Sequence, residues 1–441
     1  MRRQSRAALA RALTGTPAAA PSEERRWHLP SPAARSEFRL KTAFFTQNVK
    51  QGGLDTFILN LIVHWPGRDE IVLFCNSSHP GLPALREGLA GKANVVAYDF
   101  WIAQDITARL ARTPAVLRLL FRAAFWLFGF PYLVFKTGQL FRCSGADRLM
   151  VINGGYPGGD ACLAATLGWR RSGRGSRAWH NFHNLVLPYS RQPLRRLKEL
   201  MVDRLVAQAS AGFVTVSRAC MATLAVRSPL AVAERAFIYN GIAPIDMMPR
   251  TVSASESELP AEARLILMPA VYEARKGHAF MIRAMEEIVR RVPQAALLIC
   301  GDGSPAEIDA VRRLREVSSV AERIVLQGHR HDLGALMLQA DVLVLPSQGQ
   351  ESFGYTVVEA MARACPVVVT DVGGLPEVVD NGVSGYVIAL DDVDALAERI
   401  VTLLQNQGLR QRMGVAGVLR YKQRFTASRM AEEYFSLLEK A

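Results

Sequence analysis

The chain has 441 residues, half of them apolar, with 53 Lys and Arg against 40 Asp and Glu. That length favours two domains over one, and the apolar content excludes a disordered chain. The charge is uneven: residues 1–245 hold 32 basic and 14 acidic side chains, whereas residues 246–441 hold 21 and 26, so the first half suits an anionic partner such as a membrane surface or a phosphorylated ligand.

Residues 1–36 are rich in Arg, Ala, Ser and Pro and contain no apolar run of signal-peptide length. They read as a disordered basic tail outside the fold. From residue 39 short apolar runs alternate with amphipathic stretches. Strands are expected at 39–45, 70–75, 94–99, 147–152, 176–182 and 212–217, with helical patterns between most of them. A second series runs through 264–269, 295–301, 323–328, 341–346 and 365–370. Near-continuous apolar strands with helical crossovers imply parallel sheets covered on both faces. The polar, aperiodic stretch 251–263 separates the two series and reads as a linker between domains at 37–250 and 264–424. The fold class is therefore α/β, with two doubly wound, Rossmann-like parallel-sheet domains facing a central cleft. Ligands are expected beyond the carboxyl ends of the strands.

One segment breaks the rhythm. Residues 115–136, AVLRLLFRAAFWLFGFPYLVFK, are apolar and aromatic, with Arg118 and Arg122 on one helix face and Arg112 nearby. The uncharged core from Ala123 to Phe135 is 13 residues long, short of the roughly 20 needed to span a bilayer. It reads either as an interfacial helix on an anionic membrane or as a helix packed on the sheet. The aromatic density and basic flanks favour the membrane surface.

Cys75, Cys143, Cys162, Cys220, Cys300 and Cys365 form no C-x-x-C pair. They read as reduced, buried thiols of a cytosolic protein rather than a disulfide framework or a zinc site. No aromatic-and-basic recognition motif is present, which disfavours nucleic acid. GDGSPA at 301–306 lacks the third glycine of a dinucleotide fingerprint. Asp392 and Asp394 of DVD open a helical pattern, where aspartate is an ordinary cap.

The most informative stretch is ESFGYTVVEAMARACPVVVTDVGGLPEVV, 351–379, with Glu351 eight residues before Glu359. Reading Ser352–Ala364 as helix puts Glu351 at a helix N-terminus, where free backbone amides make an anion site. The two acids then lie about 12 Å apart along the helix axis. That is too far for a shared catalytic dyad and suits two contacts on one extended ligand. Gly354 allows close approach of a ligand to the backbone.

This text resembles glycosyltransferase family 4, retaining enzymes of GT-B fold. Glu351 and Glu359 match its E-x7-E signature. They are followed by FGYTVVEAMA, PVVVTDVGGLPEVV and NGVSG, and accompanied in order by YNGI, RKG, CGDGS and LQGHRHDL. The resemblance covers roughly residues 40–436 and implies a metal-independent hexosyltransferase with no cofactor beyond a nucleotide-diphosphate sugar donor. It places Glu351 on donor-sugar hydroxyls, the amides of Phe353 and Gly354 on sugar or diphosphate, and Glu359 on the ribose. Arg275 and Lys276 would neutralise the departing diphosphate. One departure stands out: Ala270-Val271 occupies the place of the family's usual Gly-Arg pair.

Gly52 and Gly53, after the first strand, read as a donor-side loop rather than a plain turn. Gly154 and Gly155 read as an acceptor-side loop. The family carries a functional histidine at the end of the WHNFHN strand. Both His180 and His183 precede Asn, and His183, nearer the loop, is preferred. In GT-B proteins the last helix, here 425–441, crosses back onto the first domain. A basic first half and the 115–136 segment point to a glycan or polyprenyl-linked acceptor at the inner face of the plasma membrane, in capsule, lipopolysaccharide or other polysaccharide assembly. Two rivals remain: a soluble transferase acting on a small metabolite or storage glycan, and a nucleotide-sugar-binding protein without turnover.

Overall fold

A computed structural model describes residues 40–102, 114, 124–245 and 262–440. The basic tail, Arg112, Arg118, Arg122 and most of the 251–263 linker lie outside the described residues.

In the first domain β1 (Lys41–Thr46), α1 (Gly53–Val63), β2 (Glu70–Asn76), α2 (Leu82–Gly88) and β3 (Asn94–Tyr98) form one wing. After a π-helical turn at Phe125–Gly129 come α3 (Phe130–Ser144), β4 (Arg148–Asn153), α4 (Asp160–Arg171), β5 (Ala178–Phe182), α5 (Pro193–Ala209) and β6 (Ser210–Thr215). The domain finishes with α6 (Arg218–Thr223), α7 (Ser228–Ala231) and β7 (Arg235–Phe237). Its seven strands are all parallel, in the order β3-β2-β1-β4-β5-β6-β7.

The second domain runs β8 (Arg264–Pro269), α8 (His278–Arg291), β9 (Ala295–Cys300), α9 (Pro305–Glu316), β10 (Ile324–Gln327), α10 (Leu333–Gln339) and β11 (Val342–Leu345). It continues with α11 (Tyr355–Ala362), β12 (Val367–Thr370), α12 (Leu375–Val378), β13 (Gly385–Ile388), α13 (Val393–Gln405), α14 (Gln407–Arg424) and α15 (Ala427–Glu439). Its six strands are also parallel, in the order β10-β9-β8-β11-β12-β13.

Both orders reverse once, between β1 and β4 and between β8 and β11. Diverging loops at such a switch point open a crevice, so ligands collect there. Four of the sequence's candidate loops leave these four strands: Gly52-Gly53 after β1, Gly154-Gly155 after β4, Arg275-Lys276 after β8, and Glu351–Gly354 after β11.

The strands are buried because their runs are apolar on both faces; Leu297, Leu298 and Ile299 of β9, for example, are fully buried. Met430, Tyr434, Phe435 and Leu438 of α15 enter the first domain's core beside Phe57 and Trp65. Asn181 of β5 donates to the Tyr434 hydroxyl at 2.7 Å.

Three sequence readings change. The short edge strands β7 and β13 were not foreseen. Helix α11 starts at Tyr355 rather than Ser352, because Gly354 takes a left-handed φ of 93° that a helix cannot include. Glu351 therefore sits on a loop, and a spacing measured along one continuous helix axis no longer applies. Cys143 is exposed, while the other five thiols are buried. Asp392 does cap α13, accepting from the Ala395 amide at 2.9 Å. Ser304 of the GDGS stretch forms a capping box with Glu307 on α9. No described helix is long and apolar enough to cross a membrane.

Candidate functional site

Close backbone approach builds the second-domain half of the site. Gly277 has φ 81°, and a Cβ there would stand 2.0 Å from the Pro346 carbonyl oxygen. Only glycine lets the loop after β8 lie against the end of β11. This contact brings the Lys276 ammonium to 2.5 Å from Oε2 of Glu351, and the Ser347 hydroxyl donates to the same oxygen at 3.1 Å. Oε1 of Glu351 accepts no hydrogen bond among the described residues.

From behind, the Gly374 amide donates to the Glu351 carbonyl at 3.0 Å. Gly373, at φ 54°, lies so close that its Cβ would meet that carbonyl oxygen at 1.8 Å. The glycine pair of the VGGLPE run thus clamps the Glu351 peptide. Arg275 donates to Glu273 at 2.5 Å and to the Gln350 carbonyl at 2.8 Å, bracing the approach to Glu351.

Phe353 is buried, its ring among Tyr239, Tyr355 and Phe425. Only its backbone is left for a ligand. Glu359 stands one turn into α11. Burial raises its carboxyl pKa, partly opposed by Arg363, and the carboxyl has no hydrogen-bond donor among the described residues. An uncompensated carboxylate in this setting is costly unless something brings donors to it.

The first domain supplies the facing wall. The Gly52 amide donates to Asp55 Oδ2 at 3.0 Å, and Asp55 Oδ1 takes Asn48 Nδ2 and His79 Nε2, each at 2.9 Å. Gly53 lies across from Tyr355: a Cβ there would be 3.7 Å from the Tyr355 ring. Gly155 approaches Asn184, whose side-chain oxygen accepts from the Ser352 hydroxyl at 2.9 Å. The loop after β4, the loop after β5 and the Glu351 loop therefore meet.

The two histidines separate cleanly. His180 is fully buried, with Nδ1 3.0 Å from the Thr166 hydroxyl and Nε2 3.3 Å from the Asn153 amide, and burial lowers its pKa to about 3. It is a satisfied core residue. His183 lies past the end of β5, its ring 4.1 Å from that of Phe57. Its Nε2 is buried without a hydrogen-bond partner among the described residues, and burial lowers its pKa to about 3, so the ring is neutral at physiological pH.

Sequence reading missed Asp55, His79, Ser347, Tyr355 and Glu377. Partners 24 residues apart, as Asp55 and His79 are, or 138 apart, as Tyr239 and Glu377 are, carry no local signature. Glu377 takes the amides of Arg218 and Ala219 at 2.8 and 2.7 Å and the Tyr239 hydroxyl at 3.0 Å, tying α12 to the start of α6 across the domains. Among the described residues no group of three or more His, Cys, Asp or Glu side chains is placed to hold a metal ion.

A family model for glycosyl transferases group 1 matches residues 263–406, which contain β8 to α13 and both glutamates. The second domain is thus similar to this glycosyltransferase family. Phosphatidyl-myo-inositol mannosyltransferase of Mycobacterium tuberculosis is 34% identical over 185 residues, 40% of this chain and 48% of that protein. N-acetyl-alpha-D-glucosaminyl L-malate synthase of Bacillus anthracis is 30% identical over 154 residues, 35% of this chain and 39% of that protein. The chain spans about half the length of the curated relatives it matches. The fold is shared more widely. A glycosyltransferase of Rickettsia africae superposes with a TM-score of 0.70 at 15% identity, covering 91% of this chain and 99% of that one. HepE of Anabaena, solved with UDP, superposes at 0.65 and 18% identity, covering 91% and 100%. The architecture of the chain is thus GT-B.

Proposed function

We propose that the protein transfers a hexose from a nucleotide-diphosphate sugar to a hydroxyl of a glycan or lipid-linked acceptor, with retention of anomeric configuration. The observation that carries this reading is the contrast between the two glutamates. Glu351 is fixed by Lys276, Ser347 and the Gly373-Gly374 clamp, with Oε1 left over. Glu359 is a half-buried carboxyl, its pKa raised by desolvation, without a hydrogen-bond donor among the described residues. Ribose hydroxyls would satisfy Glu359, and sugar hydroxyls would reach Oε1 of Glu351.

Lys276, next to Glu351, would stabilise the diphosphate as charge develops on it. Arg275 is the second cation of the same turn. This electrostatic role is what a metal would otherwise supply, and the reaction is proposed to need no metal or other cofactor. In the transfer the bond from anomeric carbon to diphosphate oxygen breaks. The acceptor oxygen bonds to that carbon on the same face, and the acceptor proton passes to the departing phosphate. No enzyme base is then required. Neutral His183, with Nε2 unpartnered among the described residues, would hold a sugar or acceptor hydroxyl beside the Gly154-Gly155 loop.

The phosphatidyl-myo-inositol mannosyltransferase relative supports a lipid-borne acceptor, and with it a peripheral position on the inner face of the plasma membrane in surface-polysaccharide assembly. The relative from Bacillus anthracis favours the second reading, a soluble small-molecule acceptor. A third reading, donor binding without turnover, draws on Val271 standing where an arginine is usual.

A thermal-shift panel of UDP, GDP, ADP and their sugars, on wild type and Glu359→Ala, tests the donor site. One nucleotide series should raise the wild-type melting temperature and leave the variant unmoved. Equal shifts in both proteins would remove Glu359 from the site.

A further inference from the structure

We propose that α5 is the surface by which this protein docks on an anionic bilayer, in place of the 115–136 segment alone. Leu194, Leu197, Met201 and Leu205 are 84, 56, 56 and 49% exposed. At about 100° per residue these four positions fall within about 80° of arc. They make one apolar stripe that no described part of the chain covers.

The charges of the helix are sorted with equal consistency. Its two acids face the protein: Asp203 pairs with buried Arg227 at 3.1 Å, and Glu199 takes Arg227 at 3.3 Å and Arg195 at 3.0 Å. Arg191, two residues before the helix, and Arg204, beside the stripe, stay exposed, with no ion pair among the described residues. An outward face of leucine, methionine and unpaired arginine complements apolar chains beneath anionic headgroups. A protein partner would have to match both features over the length of the helix.

A second element on the same core carries a comparable apolar face. Val202 and Val206, on the inner side of α5, share one core cluster with Phe125, Phe130 and Leu133 from the π-helical turn and α3. The outer residues of that second element, Leu127, Phe128 and Phe135, are 70, 75 and 61% exposed. Two segments packed on one core therefore both present large apolar side chains outward.

The placement has a functional consequence. Helix α5 is joined to the end of β5 by the loop carrying His183 and Asn184, so its first turn, with Leu194 and Leu197, starts from the cleft end of the sheet. Docking there would bring the bilayer to the mouth of the acceptor-side loops. This deepens the lipid-acceptor reading and rests on it for its purpose, but its test does not.

The test is co-sedimentation of the full chain, without donor, on vesicles of phosphatidylcholine and of phosphatidylcholine with phosphatidylglycerol, at low and high salt. Wild type should bind the anionic vesicles, and high salt should weaken binding. Leu194→Ser, Leu197→Ser and Met201→Ser together should reduce affinity by about tenfold for each apolar side chain removed. Arg191→Glu with Arg204→Glu should reduce it at least about fivefold per position and flatten its salt dependence. Both variants should keep the wild-type melting temperature and nucleotide shift. Three results would each overturn the proposal: no wild-type binding to anionic vesicles, wild-type affinity in the serine variant, or a wild-type dimer that the serine variant converts to monomer. Vesicle binding by a protein with no transfer activity would refute the proposed reaction and leave docking intact.

Discussion

Glu377 is the sharpest test of how the two domains are held. Its carboxylate accepts from the amides of Arg218 and Ala219 and from the Tyr239 hydroxyl, at 2.8, 2.7 and 3.0 Å. The two amides open α6, so the acid also sits at the positive end of a helix. Hydrogen bonds to a charged acceptor contribute about 1.5–3 kcal/mol each when well shielded. Here the Arg218 bond is exposed and the other two are partly buried, so the sum should be discounted to about 3 kcal/mol. Glu377→Ala should lose about that much. Glu377→Gln keeps one acceptor oxygen but turns an NH2 group toward a donor, and should lose about half as much. Because the bonds cross between domains, the loss should appear first as separation of two unfolding transitions and a larger radius of gyration. Urea unfolding followed by two probes, with small-angle scattering, reads both. A double-mutant cycle with Tyr239→Phe should give a coupling of about 1 kcal/mol. A Glu377→Ala protein with the wild-type transition, the wild-type radius and zero coupling to Tyr239 would refute the argument.

Gly373→Ala must either push the Glu351 peptide away or strain its own positive φ; donor affinity should fall at least about tenfold for a stability cost of about 1–2 kcal/mol, measured by nucleotide titration against urea unfolding. Lys276→Met leaves Glu351 without its cation and should destabilise by about 2 kcal/mol; adding Glu351→Gln should restore stability but not sugar transfer, separating the structural from the reactive role of the pair. His180 and His183 have pKa values lowered to about 3 by burial, so above pH 6.5 both are neutral in either state and cost nothing. As pH falls below 6.5 only the unfolded chain takes up their protons, and stability should drop by up to about 1.4 kcal/mol per pH unit for each ring. Urea midpoints across that range should show the slope, and His183→Gln should remove one ring's share.

The sequence made the buried strands legible because each runs apolar on both faces for four to seven residues, as in β2 and β9. It hid β7 and β13, which are short edge strands of mixed burial, RAF and GYVI. The residues of the E-x7-E stretch could be read as belonging to a cleft, but their geometry could not. The start of α11 depends on the sign of one φ at Gly354. The meeting of Lys276 with Glu351 depends on Gly277 and Gly373 touching backbone far away in sequence. Helix α5 shows the converse limit. Its apolar positions 194, 197, 200, 201, 202, 205 and 206 are compatible with more than one buried face. Only the packing of Val202 and Val206 settles which leucines are left outside.

The two acids of the signature are not equivalent, and the difference orders how a donor would be held. Glu359 is partly desolvated and has no hydrogen-bond donor among the described residues, so a ligand offering vicinal hydroxyls offsets part of an existing penalty and should be gripped there first. Glu351 already shares Oε2 with Lys276 and Ser347. A sugar hydroxyl must therefore use Oε1, and a diphosphate must share Lys276 with the carboxylate. That sharing favours the leaving group over the intact donor, since the ammonium responds most to the extra charge that appears as the glycosidic bond breaks. A bare nucleoside diphosphate, carrying that charge and the ribose together, should consequently bind more tightly than the intact sugar nucleotide. Loss of Lys276 should erase the difference.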